Sequence, residues 1–192
     1  MTSLQIVANW ALRFYHVHEL LEIEVVRNTM ESLKIVLMGK DFELRLVSLV
    51  VRARELANEV SIIDLGSNDR TIEMAGKVNC DVINHTGDIL VPTLSNLLMD
   101  NNNAECTLLI NITNRFKLRD MPLLVNRAKE NWDVHMSFSS EESDNSNPQE
   151  VAYSDAEISH LAATQIGLSE LSKAQDSQTP LELDQGLRVR VL

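Results

Sequence analysis

Aromatic residues make up only 4% of this 192-residue chain, and the residues that usually punctuate or staple a fold are also scarce: two cysteines, four prolines and six glycines. Each shortage excludes something. Cys80 and Cys106 stand alone with no CxxC spacing, which argues against a disulfide framework or zinc ribbon and predicts a buried, reduced pair. With so few aromatics the core has to come from Leu, Ile, Val, Ala and Met, and a hydrophobic fraction of 44% is enough for that. No apolar run reaches the ~20 residues that span a bilayer, and no signal-peptide pattern opens the sequence, so a cytoplasmic protein without a transmembrane segment is expected. Basic residues are short as well: 17 Lys and Arg face 28 Asp and Glu, for a net charge of -11. The cations are scattered, so nucleic acid is not an expected partner. The sequon matches at 84–86 and 111–113 read as accidental in such a chain.

What is present is a rhythm. Residues 1–32 are apolar at mixed helical spacing and predict one or two packing helices. His16 and His18 lie within them, but two residues apart on a helix they point about 200° from each other, which disfavours a shared metal. From residue 33 short β-branched runs alternate with amphipathic stretches. Strands are predicted over 33–38, 60–64, 80–85, 106–112 and 132–138, and helices over 42–59, 71–78, 91–101 and 121–131. Short connections between alternating elements imply an α/β fold: a Rossmann-like, mostly parallel sheet of four or five strands, with additional helices at both ends. Residues 139–150 are Ser, Asn and acid rich and read as a polar linker. Over 151–192 a helix is predicted from about residue 158, behind a Ser154/Glu157 capping box, followed by a polar tail that ends in a short strand or frays.

The most informative stretch is VSIIDLGSNDRTIEMA, residues 60–75. A buried strand runs into Asp64, then into a polar turn, then into a helix. The carboxyl ends of strands are where open α/β sheets bind ligands, and a carboxylate there carries a solvation cost unless it is exposed or paired. Gly66 permits a tight turn, while Ser67, Asp69 and Thr71 suit local hydrogen bonding and the start of a helix. The same residues also make a good strand-to-helix turn with no ligand at all.

Taken with LKIVLMGKDFE, CDVINH, CTLLINIT and KLRDMPLLVNRAKENWDVHMSF, this stretch makes residues 33–138 resemble the N-terminal half of a family 2 glycosyltransferase. That is a GT-A fold, close to the dolichyl-phosphate mannose synthase type. The resemblance implies a nucleotide-diphosphate sugar as ligand, with Asp64 at the base and Gly66, Ser67 and Asp69 around it. Asp41 and Glu43 stand in for the family's first-loop acids. It implies hexose transfer to a lipid-phosphate or glycan acceptor, and a Mg2+ or Mn2+ ion at an Asp-x-Asp motif. Here Asn111 and Thr113 occupy that motif's place, and neutral oxygens do not supply the charge such an ion needs, so a metal site is not expected. Lys40, Arg70 and Arg115 are then the candidate cations for the diphosphate. No motif of the family's second half follows. The alternatives are a catalytically inactive GT-A-like scaffold, using its terminal helices for a partner protein or second copy, and a SAM-dependent methyltransferase. The latter wants an acid at the end of the next strand, where this sequence has Asn84.

Overall fold

The computed structural model describes residues 32–87, 90–100, 102–112, 116–130, 132–139, 157–173 and 189–191. The helices expected over 1–32 lie outside these residues (Ser32 apart), as does the expected linker beyond Ser139. The elements are β1 (Leu33–Gly39), α1 (Glu43–Arg54), β2 (Glu59–Asp64), α2 (Thr71–Lys77), β3 (Asp81–Asn84), α3 (Val91–Met99) and β4 (Cys106–Asn111). A 3-10 turn (Leu118–Asp120), α4 (Met121–Ala128), β5 (Val134–Ser139), β6 (Glu157–Thr164), α5 (Gln165–Lys173) and β7 (Val189–Val191) follow. Pro92 and Pro122 fall in the first turns of α3 and α4, where a missing N–H has no helical partner to lose.

The strands form one sheet in the order β3-β2-β1-β4-β6-β5-β7. All pairs are parallel except the two that β6 makes, with β4 and with β5. Six strands therefore run one way and β6 runs against them. β1 and β4 are buried along their whole length, as strands covered on both faces must be. One face packs Val36, Met38, Ile63, Leu109 and Leu161 under Leu94 and Leu98 of α3 and Leu168 and Leu171 of α5. The alternate residues, among them Ile35, Leu37, Leu108 and Ile110, are buried on the other face. There Cys106 Sγ donates to the Ala128 carbonyl of α4 at 3.5 Å. Both cysteines are free and buried, as expected, and burial pushes their thiols up to about 11 for Cys80 and about 12 for Cys106.

Two expectations are corrected. The sheet has seven strands among the described residues, not four or five. The helix placed from residue 158 begins only at Gln165, and Glu157–Thr164 is instead a strand inside the sheet. Its sequence, EISHLAAT, shows no period-2 alternation because both faces are covered, and its alanines favour helix in isolation. Pairing with β4 and β5 overrides that preference. The helix cap is Thr164, whose Oγ1 accepts the Gly167 N–H at 3.2 Å. No helix among the described residues is long and apolar enough to cross a membrane.

Candidate functional site

The carboxyl ends of β1 and β2 carry the residues singled out in sequence. Asp64 ends β2, in register with Gly39 of β1 and Asn84 of β3, and is only 1% exposed. Its carboxylate folds over the following turn. Oδ2 accepts the N–H groups of Gly66 at 3.1 Å and Ser67 at 3.0 Å, and Oδ1 accepts the Ser67 hydroxyl. Gly66 sits at φ +79°, a conformation that a side chain would strain.

The loops after β1 and β2 then interlock. Ser67 Oγ accepts the Asp41 N–H at 2.9 Å, while Asp41 Oδ1 accepts the N–H groups of Asn68 at 2.6 Å and Asp69 at 3.3 Å. Asp41 itself is at φ +54°, which a short polar side chain with local hydrogen bonds tolerates. Asp69 reaches back: Oδ2 accepts the Glu43 N–H at 3.0 Å and Oδ1 the Thr71 N–H at 2.9 Å. Glu43 Oε2 accepts the Arg70 N–H at 2.7 Å. Buried Thr71 closes the clamp by accepting the Phe42 N–H on Oγ1 at 3.0 Å. Neither α1 nor α2 is capped by its own N-cap side chain; Asp69 caps α1, and α2 is capped by Asp69 together with Glu43 from the start of α1. Burial opposes the charge on Asp69, but hydrogen bonds from Thr71, Glu43 and its own turn outweigh it and hold this carboxyl below its ordinary 3.8.

All six nominated residues, Asp41, Glu43, Asp64, Gly66, Ser67 and Asp69, thus meet in one network. The role of Thr71 as the buried clamp, rather than merely a helix starter, was not legible, because nothing local marks the Phe42 N–H as its donor.

Asn111 lies at the end of β4, buried, with its side-chain amide donating to the Ile158 carbonyl of β6 at 3.0 Å. It is an internal strand tie, which also argues against its sequon as a glycan site. Thr113 and Arg115 lie outside the described residues. With Asn111 engaged and the four neighbouring carboxylates holding backbone N–H groups, the described residues do not fit a Mg2+ or Mn2+ ion. No group of three or more His, Cys, Asp or Glu side chains that would hold a metal occurs among the described residues. Arg70 is fully engaged as a fork on Glu73, with both contacts at 2.8 Å, and Lys77 joins them at 2.6 Å. These two cations hold Glu73 down to about 2. Lys40 is exposed on the β1–α1 loop.

Away from this edge, His135 of β5 and His160 of β6 stack at 5.3 Å between ring centroids, 24° from parallel. Nothing in the local sequence around either histidine marks the pair. Burial, then the neighbouring His135 and Arg127, push His160 down to about 4.

No protein-family model matches the chain, and no curated protein sequence does. Solved structures do. The fold is similar to Mycobacterium tuberculosis glucosyl-3-phosphoglycerate synthase, with a TM-score of 0.54 at 15% identity over 76% of this chain and 62% of that one. The same enzyme in complex with Mg2+ and UDP gives 0.53 at 14% identity, over 76% and 60%. Its complex with UDP gives 0.51 at 15%, over 76% and 60%. This chain therefore spans about three-fifths of the length of the structures it matches. What it shares with these glycosyltransferases is the fold, a Rossmann-like and mostly parallel GT-A sheet.

Proposed function

We propose that the chain is a glycosyltransferase-like protein that binds a nucleotide-diphosphate sugar at the carboxyl edge of β1 and β2. The observation that carries this reading is the convergence of Asp41, Glu43, Asp64, Gly66, Ser67 and Asp69 on that edge of a GT-A-like sheet. Ligands of open α/β sheets bind at that edge, and UDP is present in a solved structure of similar fold. Asp64 Oδ1 accepts one hydrogen bond, from Ser67, and so keeps an acceptor position for an N–H of the base. At 1% exposure it offers that position when the Gly66–Ser67 turn opens locally. The acceptor in this reading is a lipid phosphate or a glycan. Exposed Lys40 is the described cation on the β1–α1 loop that stabilises the departing diphosphate. Asn84, closing β3 where a methyltransferase-like ribose site wants a carboxylate, favours the nucleotide sugar over SAM.

A second reading is a non-catalytic GT-A-like scaffold that binds a partner protein or a second copy. It is favoured by the way Asp41, Glu43, Asp64 and Asp69 all hold protein N–H donors, and by the Asn111 tie to β6.

Calorimetric titration with UDP, GDP and UDP-glucose, with and without Mn2+, separates the two. The first reading expects saturable binding of at least one nucleotide. In Asp64→Asn, which retains an acceptor for the turn, that binding should weaken at least about tenfold. A folded chain that binds none of them is the scaffold.

A further inference from the structure

At the opposite edge of the sheet, and on its other face, lies a cavity of about 580 Å3, a size that accommodates a small molecule. Its floor is the amino-terminal half of β1 and β2. Lys34 lies in register with Glu59, and Ser61 with Asp81 of β3. Both project to the face that Val36 and Ile63 share. Lys34 is only 9% exposed and Ser61 only 5%. The Ser61 hydroxyl has no hydrogen-bond partner, and among the described residues no hydrogen bond or ion pair engages the Lys34 ammonium. A buried hydroxyl without a partner is costly, and Lys34 lines the same cavity. The other polar groups at hand are taken: Arg54 donates to the Asn79 carbonyl at 2.7 Å, and Asn58 Oδ1 accepts the Leu33 N–H at 3.1 Å.

The surroundings narrow the ligand. Three exposed carboxylates, Glu59, Asp81 and Asp100, border the opening, against the two cations Lys34 and Arg54. That lining carries one net negative charge, which opposes a phosphate dianion but suits a molecule with an anion at one end and a cation at the other. Ile83 and Leu97 supply an apolar wall between.

We propose that this cavity binds a small amino-acid-type zwitterion. Its carboxylate sits on the Lys34 ammonium and the Ser61 hydroxyl, its amine faces the acidic opening, and its apolar body lies against Ile83 and Leu97. The site is separate from the nucleotide edge: Ser61 and Asp64 are three residues apart on β2 and so face opposite sides of the sheet.

The test is calorimetry on the full chain with four probes: L-leucine, 4-methylpentanoate (the same body without the amine), 3-methylbutylamine (without the carboxylate) and inorganic phosphate. Leucine should bind saturably, 4-methylpentanoate several-fold more weakly, and 3-methylbutylamine and phosphate at least about tenfold more weakly. Lys34→Met should lose at least about tenfold in leucine affinity and Ser61→Ala about threefold or more. Lys34→Met replaces a lysine that makes no ion pair among the described residues by an apolar chain of similar length, so it should melt close to the parent. Asp64→Asn should leave leucine binding unchanged, which keeps this outcome independent of the nucleotide titration. The proposal is overturned if leucine does not bind, or if 4-methylpentanoate, the amine or phosphate binds as tightly as leucine. It is equally overturned if folded Lys34→Met and Ser61→Ala bind leucine like the parent, or if Asp64→Asn abolishes that binding.

Discussion

Gly167 shows how much one residue can decide. A Cβ added there would lie 2.1 Å from the Asp133 carbonyl oxygen and 2.8 Å from Val134 Cγ2, contacts that only backbone movement could relieve. Gly167→Ala should therefore destabilise the protein by more than about 2 kcal/mol, read as a lower urea midpoint, although alanine is the better helix former. In sequence this glycine looks like a weak position in a helix; only the chain crossing above it makes it obligatory. His160 sets a pH dependence. An unfolded histidine takes up a proton near pH 6.5, whereas folded His160 resists protonation until about 4. The unfolded chain thus binds protons first, so this contribution to stability is complete above about pH 6.5 and is lost as pH falls towards 4. A loss of order 1–3 kcal/mol is expected over that range. The urea midpoint should begin to fall between pH 6.5 and 5, before most carboxylates titrate, and a His160→Leu variant should not show that early fall.

Among the elements, the two helix starts that frame the candidate site share their capping side chains, Asp69 and Glu43. Asp69→Ala removes the acceptor for both the Glu43 and Thr71 N–H groups and should lower stability by about 1–3 kcal/mol, seen in thermal unfolding. An exposed acid elsewhere, such as Glu55, should change little when replaced. The polar turn itself was legible, since Asp-x-Gly-Ser-Asn-Asp-Arg-Thr is strong turn and cap chemistry. The reciprocal capping was not, because its partners lie more than twenty residues apart. Asn111 makes a sharper test. Asn111→Asp brings the residue closer to the metal-binding pattern, yet it sets a carboxylate against the Ile158 carbonyl in a buried place. It should cost about 2–4 kcal/mol at pH 7 and gain no Mn2+ affinity. A stable variant that binds Mn2+ would show that the tie to β6 is dispensable and the site metal-competent.

For the molecule as a whole, the decisive element is β6. It enters the sheet between β4 and β5 and bonds to both, so β5 is held to β4 only through it. An isolated fragment of residues 32–139 would leave the edge of β4 unpaired and β5 without its neighbour. It should show no cooperative unfolding transition and should aggregate; a soluble monomeric fragment with a sharp transition would show that the first five strands are self-sufficient.

Local sequence alone determined the alternation of strands and helices over residues 33–138, the buried cysteines, and the polar turn at Asp64, because each rests on hydrophobic period or turn chemistry within a few residues. Tertiary structure alone decided that Glu157–Thr164 is a strand, that Lys34 and Ser61 share a buried face, and that the site's carboxylates hold each other's loops. Those outcomes depend on which segments the sheet brings side by side. In a strand covered on both faces the local pattern no longer reports its neighbours, so the pairing, and with it the chemistry at either edge, is settled only when the chain is folded.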